Sequence, residues 1–222
     1  TGLATQAQTT LLDGHVDVGV DYDESLNAWN LHVHDEATAS EYSPPTDAVL
    51  FVKYAAHSSL STDPTWSFLG SPGADIWTLP KAQDLNLLFL GFGAEEIADG
   101  TFAGNQFTMA LTSVTGPGRF VVYDTDAFGA PQVWMNSGDG ISGADARVLS
   151  SGAHSHVNWA FTAPGDYSVF FNASAISTLN GPTSSGSVEY RFHVEAVPEP
   201  GAMSLVSAGV LTGWLVRRRR HN

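Results

Sequence analysis

Three short stretches place metal-ligating side chains two residues apart. They are His15 and Asp17 in HVDVGV, His32 and His34 in LNAWNLHVHDE, and His154 and His156 in AHSHVNWAF. On a β-strand, residues i and i+2 point to the same face with Cα atoms about 6.5–7 Å apart. Two imidazoles held that way can turn their nitrogens onto one ion at about 2.0–2.1 Å, with a further ligand arriving from another strand. The chain has no cysteine, so such a site is built from imidazole and carboxylate, a set that suits zinc, copper or manganese. The expected ligands are His15, His154 and His156, with Asp17 next. The His-Ser-His element is expected at the start of a core strand, meeting His15 from an adjacent strand. His32 and His34 join if the first hairpin holds its register. The plainer reading of any one pair is polar surface on a strand. What favours chemistry is that five of the eight histidines fall in these pairs, inside one acidic domain. His57 and His193 read as ordinary residues.

Other chemistries are poorly supported. Ser155 lies between two histidines, but no serine sits in a GxSxG element, and there is no HExxH helix motif. The expectation is a protein that is not an enzyme. Acidic loops occur at Asp21, Asp23 and Glu24, at Asp124 and Asp126, and at Asp139 and Asp145. Calcium takes six to eight oxygens, and none of these loops has the spacing of an EF-hand. They read as turn chemistry, with calcium the lesser candidate. Trp66 and Trp134 are the tryptophans best placed to stack on a polysaccharide, whereas Trp29 and Trp159 alternate with apolar neighbours and read as core.

Charge narrows the partners. All but one of the 23 acidic residues precede residue 197, against five of the nine basic ones. Such a body has no basic stripe to replace phosphate counterions, which argues against nucleic acid. It is compatible with cation binding or simple solubility.

The elements that position these residues are short strands. Val16, Val18 and Val20 alternate with His15 and Asp17, and Trp29, Leu31 and Val33 alternate with His32 and His34. DYDES between them predicts a hairpin. Further strands are predicted at 48–54, 75–79, on both sides of Gly116-Pro117-Gly118, at 131–135, 157–162, 166–175 and 188–194. A helical turn is predicted at Ala94–Ala98. About ten short strands between Gly and Pro turns predict an all-β antiparallel sandwich, Ig- or jelly-roll-like, over residues 11–196. Residues 1–10 read as a loose leader, and Thr1 in place of Met is the start expected of a processed or trimmed chain.

Residues 197–222 are different. Val197, Pro198, Glu199 and Pro200 form a rigid element, then 16 uncharged, largely apolar residues lead to Arg217, Arg218, Arg219 and Arg220. A helix of that length rises about 24 Å, just short of a hydrocarbon core of about 30 Å, and flanking arginines can snorkel. This tail closely resembles the PEP-CTERM sorting signal of Gram-negative bacteria. That resemblance implies a transient inner-membrane anchor helix, an exosortase that cuts near the Pro-Glu-Pro motif, and delivery to the cell surface or an exopolysaccharide matrix. In the body, GAHSHVNWAFTAPGDYSVFFNASA followed by YRFHV resembles the surface-anchored repeat of actinobacteria. Together with GHVDV and GPGRFVVY, the longer body resembles the choice-of-anchor M group, whose similar bodies carry different C-terminal anchors. The group implies an exported, anchored β-domain, and the company some members keep with metal-type ABC transport components implies metal handling. The expected protein is therefore a secreted, surface- or matrix-associated domain that binds a divalent metal. The alternative is a structural or polysaccharide-binding matrix component.

Overall fold

A computed structural model describes residues 8–199. Pro200, the apolar segment and Arg217–Arg220 lie outside the described residues, as does most of the leader. Val197, Pro198 and Glu199 are exposed and outside any strand.

The chain runs through β1 (Thr9–Leu11), β2 (Gly14–Asp23), β3 (Ala28–Asp35), β4 (Ser40–Tyr42), β5 (Ala48–Val52), β6 (His57–Ser59), β7 (Asp75–Leu79) and β8 (Leu88–Gly93). It continues through β9 (Gln106–Thr115), β10 (Phe120–Thr125), β11 (Pro131–Asn136), β12 (Ala146–Ser150) and β13 (His154–His156). It closes with β14 (Asn158–Phe161), β15 (Gly165–Ser177), β16 (Gly181–Ser184) and β17 (Val188–Val194). Among the described residues the helical elements are three short 3-10 turns. The fold is all-β.

The strands form three sheets. One has the order β1-β5-β17-β15-β9-β12 with β16 beside β15, another runs β11-β10-β14-β7-β6, and the third runs β13-β8-β2-β3-β4. Chain neighbours do not always pair. β9 and β10 flank Gly116-Pro117-Gly118 yet belong to different sheets, and so do β14 and β15 around Pro164-Gly165. Thr9 and Thr10, expected in the leader, belong to β1. Thr9–Leu11 adds a parallel strand beside β5, which gives the backbone of these β-branched threonines a ladder to join. Residues 94–97 make one hydrogen-bonded turn, Ile97 N donating to Ala94 O at 3.1 Å.

The three sheets share one core, and Trp159 on β14 sits where they meet. It is fully buried. Its ring centroid lies 4.8 Å from Phe92 of β8, 6.0 Å from Phe120 of β10, and 6.1 and 6.4 Å from Phe171 of β15 and Phe192 of β17. A buried indole N–H needs an acceptor. Trp159 Nε1 donates to Leu90 O of β8 at 3.0 Å, tying the β14 sheet to the sheet that carries the histidines.

This packing makes a prediction. Trp159→Ala, which removes the ring from all three sheets, destabilises by about 3–5 kcal/mol. Trp159→Phe keeps most of the volume, loses the bond to Leu90 O, and costs about 1–2 kcal/mol. Chemical denaturation checks both, and equal costs would mean that the packing of the ring against the three sheets contributes nothing.

Candidate metal centre

The histidine pairs stand on one face of the β13-β8-β2-β3-β4 sheet. Register lines them up in rows. His156, Gly91, Asp17, His34 and Glu41 are successive cross-strand neighbours, and so are His154, Gly93, Gly19 and His32. Val16, Val18 and Val20 turn the opposite way into the core. The strand periodicity that makes β2 amphipathic therefore also aims His15 and Asp17 together.

Two of the three pairs converge. His15 Nε2 lies 2.9 Å from His154 Nε2 and 3.1 Å from His156 Nε2. Asp17 brings Oδ1 to 3.0 Å from His154 Nε2 and Oδ2 to 3.3 Å from His15 Nε2. These four residues offer one ligand atom each within 4.8 Å of one another. The edge of a tetrahedron around an ion bound at about 2.0–2.1 Å is about 3.3 Å. The observed separations sit at or slightly below that edge.

With the rings neutral, hydrogen bonding alone does not account for this cluster. A neutral imidazole nitrogen carries either one proton or one lone pair. His15 Nε2 faces three neighbouring ligand atoms and can be bonded to only one of them. Asp17 is buried, and its Oδ2 has no hydrogen-bond partner among the described residues. On the outer side, His154 Nδ1 meets Glu95 Oε1 at 2.7 Å. A neutral ring donating from Nδ1 turns its Nε2 lone pair toward Asp17 Oδ1, so two acceptors face each other. A cation between them resolves the conflict, and a carboxylate behind a histidine is the usual support of a metal ligand.

The electrostatics point the same way. Burial raises the Asp17 carboxyl above its usual range, while the charges of His154 and His15 pull it back. Burial, followed by the charges of His154 and His15, pushes the His156 imidazole down to about 4. Phe89 contributes to that burial, its ring stacked on His156 at 3.4 Å between centroids. His156 is therefore neutral at pH 7, the form that ligates.

Sequence reasoning placed two features wrongly. His154 and His156 do not open the core strand. They form their own three-residue strand, β13, and the chain crosses to another sheet at the buried Val157 before β14 begins. Nor is β13 adjacent to β2, because β8 lies between them. The side chains meet over β8 because Gly91 has none there. A Cβ on Gly91 would collide with Asp17 Oδ1 and lie 3.1 Å from His156 Cε1. Gly91 has no positive φ, so the glycine is needed for space and not for conformation.

His32 and His34 do not join this group. With Glu96 they form a second one, whose ligand atoms also lie within 4.8 Å of one another. Desolvation holds the Glu96 carboxyl above its usual range, His32 lowers it, and Glu41 and Asp21 add to the rise. Sequence reading passed over Glu95 and Glu96 as part of a turn. Two adjacent glutamates just after a glycine-rich strand were the available signal.

The remaining candidates have internal partners. Asp124 Oδ1 accepts from Lys81 Nζ at 2.6 Å, Asp126 Oδ1 from the backbone of Phe128 and Ala130, and Asp145 from the backbone of Asn136 and Ser142. Asp23 accepts from Ser25 and Leu26 N–H groups. These loops use their carboxylates as turn caps. His57 pairs with Asp75 at 2.8 Å and His193 with Asp166 at 2.6 Å. Ser155 Oγ accepts from Arg147 Nη2 at 2.8 Å. Trp66 and Trp134 are half-buried. Trp66 packs on a small cluster with Phe68 and Tyr123, and the Arg147 guanidinium lies 5.1 Å from the Trp134 ring centroid.

Comparison with protein-family models, with curated proteins and with solved structures found no match to this chain.

Two predictions follow from the geometry. Gly91→Ala forces Asp17 and His156 aside, so it destabilises by about 1–3 kcal/mol although alanine is ordinarily the better strand residue. Equal stability of variant and parent in denaturant melts would contradict that. In metal-free protein, an unfolded histidine takes its proton near pH 6.5, whereas folded His156 takes it near 4. Between these values the unfolded chain binds more protons, so this group's contribution to stability is lost as pH falls from about 6.5 toward 4. The raised Asp17 carboxyl acts in the opposite sense just above its ordinary range. Comparing parent with His156→Asn isolates the histidine, and the variant melts with a smaller drop in midpoint from pH 7 to pH 5.

Proposed function

We propose that this protein is a non-enzymatic, exported β-sandwich domain that binds one divalent transition metal through His15, Asp17, His154 and His156. The carrying observation is the convergence of three imidazoles and one buried carboxylate within 4.8 Å of one another, with His15 Nε2 2.9 and 3.1 Å from the other two Nε2 atoms and Asp17 3.0 and 3.3 Å from His154 and His15. Three imidazoles and a carboxylate form a borderline donor set, which suits zinc or copper better than manganese and much better than calcium. Four protein ligands close a tetrahedral shell, the arrangement of a site that holds its ion and not of one that keeps a position open for catalysis. The PEP-CTERM-like tail, with Val197–Pro200 ahead of Arg217–Arg220, supports export through the inner membrane, processing by an exosortase, and residence at the cell surface or in an exopolysaccharide matrix. The resemblance of the body to the choice-of-anchor M group supports the same placement.

The test is elemental analysis with metal titration on untagged protein. The parent binds zinc at the His15 group, and that equivalent is absent from His154→Ala at micromolar metal while the fold, read by circular dichroism, is kept. Glu95→Gln leaves the ligand set intact and weakens binding by about 10–100-fold, because the carboxylate behind His154 is neutralised. A His154→Ala protein that binds as well as the parent would remove the assignment. The surviving reading would then be a structural or polysaccharide-binding matrix component.

A further inference from the structure

The His15 group does not use all the ligand-capable residues on this sheet face. A cavity of about 250 Å³ is lined by Gly19, His32, His34, Glu36, Glu95, Glu96 and His154, among other residues. It lies over the row His154, Gly93, Gly19, His32, in which two glycines separate the outer histidines. Three strand spacings put the Cα atoms of His154 and His32 about 14 Å apart. The floor between them is bare because it has to be. A Cβ on Gly19 would run into the His32 ring, and one on Gly93 would come within 3.0 Å of Glu95 Oε2.

We infer that His32, His34 and Glu96 form a second, separate site for a divalent transition metal at the opposite end of this cavity. Their three ligand atoms converge within 4.8 Å. His32 is only 3% exposed, and its Nδ1 has no hydrogen-bond partner among the described residues, a cost that ordinary surface histidines do not bear. Among the described residues no lysine or arginine lines the cavity, whereas Glu36, Glu95 and Glu96 do, so its field favours a cation. Glu36 stands close to the cluster, its Oε1 3.6 Å from His34 Nδ1. Two imidazoles and one carboxylate leave a coordination position open, facing the cavity. The His15 site has four ligands, enough to close a tetrahedral shell. The His32 site is the exchangeable one, and it can fill whether or not the first site is occupied.

The experiment is a cobalt(II) titration of the full untagged chain, read by the visible absorption of bound cobalt and by equilibrium dialysis. It is repeated on His154→Ala/His156→Ala and on His34→Ala/Glu96→Gln. His34 and Glu96 reach solvent, so their replacement leaves the core intact, and circular dichroism checks this. The parent is expected to bind two equivalents, and each double variant one, with distinct spectra. One equivalent in the parent, lost in the first double variant and untouched in the second, overturns the second site and leaves the His15 site standing. One equivalent lost only in His34→Ala/Glu96→Gln overturns the His15 assignment instead. No bound cobalt in the parent overturns both.

Discussion

A buried carboxylate is among the most costly groups a fold can contain, and Asp17 is such a group. It stands in the middle of a five-stranded sheet and, among the described residues, forms no ion pair with a lysine or arginine. Its polar neighbours are His15 on its own strand, 3.3 Å from Oδ2, and His154 two strands away, 3.0 Å from Oδ1. Each imidazole is in turn tied to something else, His154 to Glu95 and His15 to the ring of Phe89. A cation at the meeting point of the Nε2 atoms is the arrangement in which all of these demands are met together.

The same constraint explains the glycines of β2 and β8. Glycine ordinarily weakens a strand, since it has no side chain to pack and more backbone entropy to lose. Here Gly19, Gly91 and Gly93 are bare positions between ligand-bearing ones, and the imidazoles and carboxylates reach into the space they leave. The loss is offset underneath. Phe92 turns into the core against Trp159, and Leu90 O accepts the Trp159 indole proton. One face of β8 is thus stripped for the site while the other is anchored to the remaining two sheets. The acidity of the body has a local expression in the same place, where Glu36, Glu95 and Glu96 rim the cavity over the bare floor.

The sequence by itself determined the class of the fold and the aim of the side chains. Alternation in β2 and β3, turn residues between strands and the near-absence of helical periodicity are local signals, and they yield an all-β chain with His15 and Asp17 on one face. They also yield the hairpin that sets Asp17 opposite His34. Strand periodicity is a property of neighbouring residues, so a single sequence carries it in full. Only the tertiary structure decided which strands lie side by side. β8 escaped a sequence reading because its glycines suppress the strand signal, and those glycines are present for the sake of Asp17 and the histidines. β13 looked continuous with β14 because nothing local marks a change of sheet at Val157. Whether His32 and His34 joined the first group or found Glu96 depended on the position of a turn some sixty residues further along the chain. Such choices depend on sheet order and loop closure between residues distant in sequence, where period-two alternation carries no information.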